Sequence, residues 1–282
     1  MQPFALRERV MSYARVMVPV DLGPYAADRI ALAGSLADQF DSLLIGTAAQ
    51  RPFIPAYGEG AGADAALIES EQRRVDEDLV DVERVFRTAC GNRNRIEWRG
   101  SSSHEATFFA TEQARAADIL VLTRQGSGDE TDWRFGVDPG TVVMQVGRPM
   151  MLAPPGVRSL SGKRVLIAWK DTREARRAVW DALPLLQRAE TVFIVAVSEN
   201  ARKAGALDVA EYLASHAIRA RTLLREGRHA TASEELLAVA EKEGIDLLVA
   251  GAYGHARVRE WIFGGVSRDL LDRTPVACLM SH

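Results

Sequence analysis

The run Asp246-Leu247-Leu248-Val249-Ala250 leads straight into Gly251-Ala252-Tyr253-Gly254, and after nine further residues the chain reads Gly264-Gly265-Val266-Ser267. A short apolar run of this kind suits a strand covered on both faces, as in a parallel sheet. The segment Val266 to Arg273 is amphipathic and reads as a helix. A buried strand, a glycine-bearing loop and a helix N-terminus in that order make an anion site. Glycines let backbone approach a phosphate, and the unpaired N–H groups of the first helical turn point at it.

Working outward, the same order of elements occurs twice. Apolar runs at Val16–Val20, Leu43–Ile45, Ile119–Leu122 and Met150–Leu152 are echoed at Val165–Trp169, Val192–Val195, Leu247–Val249 and Val276–Leu279. Placing Asp118 on Asp246 is an offset of 128 residues. It also carries Gly126 onto Gly254, Trp133 onto Trp261, Phe135 onto Phe263 and Gly136 onto Gly264. Between the strands lie helical patterns. Ile30, Ala33, Leu36, Ala37 and Phe40 fall on one face, as do Ile68, Val75, Leu79, Val82 and Phe86. Ser102-x-x-Glu105 and Thr231-x-x-Glu234 read as capping boxes, with Gly244 closing the second helix. Alternating strands and helices predict an α/β protein of two tandem doubly wound five-stranded parallel sheets, spanning 13–154 and 162–282. The hinge between them is Pro154-Pro155-Gly156 through Ser161-Gly162. The stretch Arg51–Gly60, rich in proline and glycine, has no counterpart in the second half and reads as a surface loop.

Composition narrows the partners. The chain has 282 residues, 47% of them hydrophobic, and a net charge of −3, which gives a substantial core and argues against a nucleic-acid groove. No stretch has the length of a membrane span, and residues 1–13 lack the apolar core of a signal peptide, so the expected location is the cytoplasm. Cys90 and Cys278 read as buried reduced thiols, and His104, His216 and His229 have no ligand spacing, so no metal is expected. The chain contains neither G-x-x-x-x-G-K-[ST] nor G-x-S-x-G, so P-loop and nucleophile-elbow chemistries lose support.

The G-x2-G-x9-G loop after the fourth strand resembles that of the universal stress protein family. So do the opening Val165-Leu166-Ile167-Ala168-Trp169-Lys170-Asp171 and the close Phe263-Gly264-Gly265-Val266-Ser267, then Pro275-Val276. The resemblance implies a stress-linked adenine-nucleotide-binding α/β protein, not an enzyme beyond weak ATP hydrolysis. It also implies a tandem chain that imitates the family's dimer, itself open to pairing as a homodimer. In the family's nucleotide-binding branch an acid ending the first strand faces adenosine, and a glycine loop ending in Gly-Ser/Thr holds phosphates.

Carried onto this chain, the second repeat keeps Gly251, Gly254, Gly264, Gly265, Val266 and Ser267 for the phosphates but has Lys170 in the acid's position. The first keeps Asp21 on the adenosine side with Gly126 and Gly136, but has Thr123 and Val137 where a glycine and a Ser/Thr are expected. Two readings of the second loop stand side by side: a phosphate cradle assisted by His255, Arg257 or Arg259, and a structural turn. Asp21 is either an adenosine ligand or the N-cap of a helix starting near Pro24. Trp133 and Trp261 suit packing anchors better than adenine platforms. The expected function is a stress-response module that binds ATP or another adenine nucleotide, mainly in the second repeat. The alternative is an interaction or scaffold protein of the same fold that binds none.

Overall fold

The structure is a computed structural model, and it describes residues 12–53, 65–124, 132–198, 204–226, 231–253 and 265–282. The first unit runs β1 (Arg15–Pro19), α1 (Ala26–Phe40), β2 (Leu43–Ala49), α2 (Ala65–Cys90), β3 (Ile96–Ser101), α3 (Ala106–Gln113), β4 (Ile119–Thr123), α4 (Pro139–Gln145) and β5 (Met150–Ala153). The second runs β6 (Arg164–Trp169), α5 (Arg173–Leu186), β7 (Thr191–Val197), α6 (Ala206–Ser215), β8 (Ala220–Arg225), α7 (Ala232–Lys242), β9 (Leu247–Gly251), α8 (Gly265–Arg273) and β10 (Ala277–Ser281). Each unit is a parallel sheet, and the two join into one ten-stranded sheet ordered β3-β2-β1-β4-β5-β10-β9-β6-β7-β8.

Successive strand residues feed opposite faces, which is why the strands are apolar throughout. Val16 and Val18 belong to the core layer that also holds residues of α1, α2, α5 and α6, and Met17 to the layer on the other face, which holds residues of α4, α7 and α8. The 128-residue echo has a physical cause at its starting point. Asp118 accepts hydrogen bonds from the backbone N–H groups of Ala14 and Arg15 as the chain enters β1. Asp246 does the same for Lys163 and Arg164 at the entry to β6. The carboxylate satisfies donors that the strand ladder leaves open.

Of the helix signals, Thr231 and Glu234 form the capping box and Gly244 takes φ +59 after the helix. Asp138 caps α4, with Pro139 as its first residue. The first expected box is corrected: Glu105 itself is the N-cap of α3, its carboxylate accepting from the N–H groups of Thr107 and Phe108. A carboxylate with two oxygens can serve both donors at once, so Ser102 is left outside the helix. Trp133 is also corrected. It is 80% exposed and anchors no packing, while its neighbour Phe135 is buried. Trp261 and residues 54–60 of the surface loop lie outside the described residues.

The units meet through the antiparallel pair β5–β10, with Leu152 opposite Cys278, Met151 opposite Leu279 and Met150 opposite Met280. Under the 128-residue offset Met151 faces its own counterpart Leu279, while Met150 and Leu152 each face the counterpart of the other, an isologous contact inside one chain. Around it Tyr13 donates to the carbonyl of Asp181 at 2.6 Å, and Arg188 lies 4.5 Å from the centre of the Phe40 ring. Arg124 reaches the carbonyl of Thr274. The connecting segment is fastened to α1, where Leu160 N–H donates to Ser35 and Gln39 donates to the Leu160 carbonyl.

Both cysteines are buried and unpaired. Burial pushes the Cys278 thiol up to about 12 and the Cys90 thiol up to about 11, the latter eased by Arg93 and Arg87. Since the nucleophile is the thiolate, neither is expected to react with a disulfide reagent at pH 8 unless the protein unfolds. Reaction of the folded protein at the rate of the urea-unfolded chain would contradict this burial.

Candidate functional site

In each unit the chain leaves the first strand toward β2 or β7 on one side and returns on the other through β4 or β9. A crevice therefore opens beyond the C-terminal ends of β1 and β4, and again beyond β6 and β9. Sheet register fixes which residues correspond. Val16 pairs with Ile119 and Val165 with Leu247, so β1 maps onto β6 with an offset of 149. That places Asp21 on Lys170, while Thr123 falls on Gly251, as the sequence echo requires.

In the second unit the crevice is an open cavity of about 490 Å³. Its wall includes Trp169 at the end of β6 and Lys170 after it, Val195 from β7 and Ser198 just beyond that strand, Gly251 at the end of β9, and Gly265, Val266 and Ser267 at the start of α8. Trp169 is pinned as a wall by its indole N–H, which donates to the Ala204 carbonyl at 2.6 Å. Lys170 is exposed, at the mouth. A Cβ on Gly265 would meet nothing within 4 Å, so the space over the first turn of α8 is open among the described residues.

Gly251 has a structural reason to be glycine that the sequence did not disclose. A Cβ there would lie 2.5 Å from the backbone N of Ala175 and 2.6 Å from the carbonyl carbon of Glu174. The first turn of α5 thus rests on residue 251, and only glycine admits it. Ser267 is also accounted for: its hydroxyl oxygen accepts from Tyr253 N–H at 3.0 Å and faces the Gly251 carbonyl at 3.5 Å. It fastens the loop to the helix, so what α8 turns to the cavity is chiefly its backbone N–H groups. Tyr253 itself holds φ +55, an unusual conformation for a side chain of its size. Its hydroxyl lies 3.5 Å from where a Cβ on Gly140 would sit, at the start of α4 in the first unit. Burial, and then the nearby Asp138, hold that phenol above its ordinary pKa.

The first unit's crevice is nearly filled, with a cavity of only about 20 Å³. Asp21 and Arg29 are 7% and 5% exposed. From α1, Arg29 donates through Nη2 to Asp21 Oδ2 at 2.9 Å, through Nε to the Pro19 carbonyl at 2.9 Å, and through Nη1 to Thr123 Oγ1. The other carboxylate oxygen of Asp21 accepts from Gly23 N–H. The reading of Asp21 as a helix N-cap is corrected, because α1 starts after Tyr25 and the carboxylate is spent on the guanidinium. Phe135, Gly136 and Val137 complete the lining. Arg134 ties that segment to α2 by donating to Asp78 at 2.9 Å. At the position matching Arg29, the second unit has Ala178, also buried.

The structure therefore brings Gly251, Gly265, Val266 and Ser267 together around one cavity, and Asp21 with Gly136 around another. Gly126, Gly254, Gly264, His229, His255, Arg257 and Arg259 lie outside the described residues. Arg29 is the site residue that pattern reading missed. Its signal was an arginine one residue before Ile30, within the apolar face of α1. Among the described residues no group of three or more His, Cys, Asp or Glu side chains is placed to hold a metal ion. Nor is any helix long and apolar enough to cross a membrane.

Residues 162–282 match the model of the universal stress protein family. No curated protein matches the chain. Among solved structures, a universal stress protein from Archaeoglobus fulgidus DSM 4304 superposes with a TM-score of 0.69 at 17% identity, covering 95% of this chain and 98% of that one. A protein of unknown function from Pseudomonas aeruginosa PAO1 superposes with a TM-score of 0.58 at 13% identity, covering 95% and 92%. These likenesses extend the fold over both units.

Proposed function

Because residues 162–282 match the model of the universal stress protein family, we propose that this chain is a stress-response module that binds ATP or another adenine nucleotide in its second unit. The observation that carries the reading is the open cavity of about 490 Å³ at the switch point between β6 and β9, walled by Gly251 and the first turn of α8. Backbone N–H groups at a helix start, with the helix dipole behind them, suit a phosphate. Apolar walls from Trp169, Val195 and Ala250 suit a base. Lys170 adds a positive charge at the mouth, where it favours an anion but cannot accept a hydrogen bond from ribose or from the adenine amine. Binding is thus expected to be weaker on the adenosine side than on the phosphate side. No chemical step beyond slow ATP hydrolysis is part of this reading.

Mass spectrometry of freshly purified, denatured protein, followed by calorimetry with ATP, tests the reading. The expected result is bound adenine nucleotide, or uptake of ATP in the second unit. Lys170→Asp is expected to tighten ATP about tenfold by restoring an acceptor, and Gly265→Leu to abolish binding while leaving the fold intact. An empty protein that also ignores added ATP would sink the proposal. The position of Lys170 would then favour the other reading, an interaction protein that works through its surfaces.

A further inference from the structure

We infer that Arg29 is a resident occupant of the first unit's switch-point site, held there by Asp21 and Thr123, and that it keeps this unit closed while the second unit, with Ala178 at the matching position, stays open. The guanidinium sits between the ends of β1 and β4, where the second unit has a cavity. It is 5% exposed and meets an acceptor at each of three nitrogens: Asp21, Pro19 and Thr123. Two substitutions cooperate in this. Thr123 offers a hydroxyl acceptor to the guanidinium where the second unit has a glycine. Residue 29 carries a long cationic side chain where the second unit has the methyl of Ala178. The first crevice holds about 20 Å³ of open space and the second about 490 Å³. Arg134 reinforces the closure by fastening the segment before Val137 to α2, and its counterpart by the 128-residue offset is Ile262, which has no charge.

The groups that Arg29 satisfies define what the closed site would take if it were vacated. A buried carboxylate, a backbone carbonyl and a hydroxyl form a set of acceptors, so the latent site fits a hydrogen-bond donor such as ribose hydroxyls or an amino group. The open site, with Lys170 and helix N–H groups, fits an acceptor or an anion. The two crevices are matched in position and opposite in chemistry.

The closure can be read without any nucleotide. A cysteine reporter, Thr123→Cys, is compared by its rate of reaction with a disulfide reagent in the Arg29 protein and in the Arg29→Ala background. The buried native thiols supply a slow baseline. Reaction is expected to be at least about tenfold faster once Arg29 is removed. Should Arg29→Ala fail to fold, Asp21→Asn/Arg29→Ala removes the stranded carboxylate charge and serves the same comparison. Equal rates with and without Arg29 overturn the inference.

The binding arm rests on the nucleotide reading above and counts ATP per chain for the parent and for Arg29→Ala/Thr123→Gly. A rise from one to two supports both readings. A rise from none to one supports the closure and overturns binding in the second unit. One equivalent in both proteins, with equal thiol rates, overturns the closure. None in either, with a positive thiol result, leaves the closure standing and removes nucleotide from both units.

Discussion

Arg29→Ala is expected to lower the stability of the protein by about 3–5 kcal/mol, as measured by urea unfolding. Both partners of the Arg29–Asp21 pair are buried, with side chains 5% and 10% exposed, so water cannot take over the guanidinium's role. Deleting it strands a carboxylate and leaves the Pro19 carbonyl and the Thr123 hydroxyl without that donor. The cost is that of an uncompensated buried charge rather than of the attraction lost. A paired replacement distinguishes the two. Asp21→Leu/Arg29→Met fills similar volume without charge and is expected to recover most of the stability, because a buried ion pair often offers little net gain over apolar packing. If Arg29→Ala costs less than about 1 kcal/mol, the pair is solvated and the description of a filled crevice is wrong.

Gly251→Val is expected to destabilise the second unit by about 3 kcal/mol or more. The clash is with backbone, at 2.5 Å from Ala175 N, and backbone cannot turn aside as a side-chain end can. Relief requires α5 to shift away from β9, which would disturb Ala175, Ala178 and Val179 in the core. Gly265→Ala is the control, since a methyl there meets nothing within 4 Å and should change stability by less than about 0.5 kcal/mol. A midpoint unchanged by Gly251→Val would show that α5 does not rest on residue 251 as described. The pair of variants also separates two meanings of a glycine in one motif: one admits a helix and the other leaves room above a helix end.

How much was legible in the sequence follows from burial. The central strands are apolar on both faces and so read as continuous runs, which gave the doubly wound order and the repeat. The edge strands did not stand out. Ile96–Ser101 and Ala220–Arg225 alternate partly exposed residues with Glu97, Arg99, Arg221 and Arg225, as suits strands paired on one side only. The last strands of the two repeats, apolar throughout, pair as Met150–Leu152 with Cys278–Met280 and so turn two sheets into one. At the site, spacing located Gly251, Gly265 and Ser267 but not their duties. Spacing cannot tell a hydroxyl aimed at a ligand from one spent on Tyr253 N–H. Arg29 lay hidden because its partners Asp21 and Thr123 are 8 and 94 residues away, and only the parallel pairing of β1 with β4 brings them together.

The isologous β5–β10 strand pair carries a consequence for heredity as much as for structure. Two identical chains pairing in this way are written by a single gene, so an arginine admitted into one crevice appears in both. It would also hold together only above some protein concentration. Here the mate is covalently attached, and its partnership survives any dilution. Each half has its own stretch of coding sequence, free to change alone. One copy could give its crevice over to an internal ion pair while the other stayed open, with the shared sheet unchanged between them.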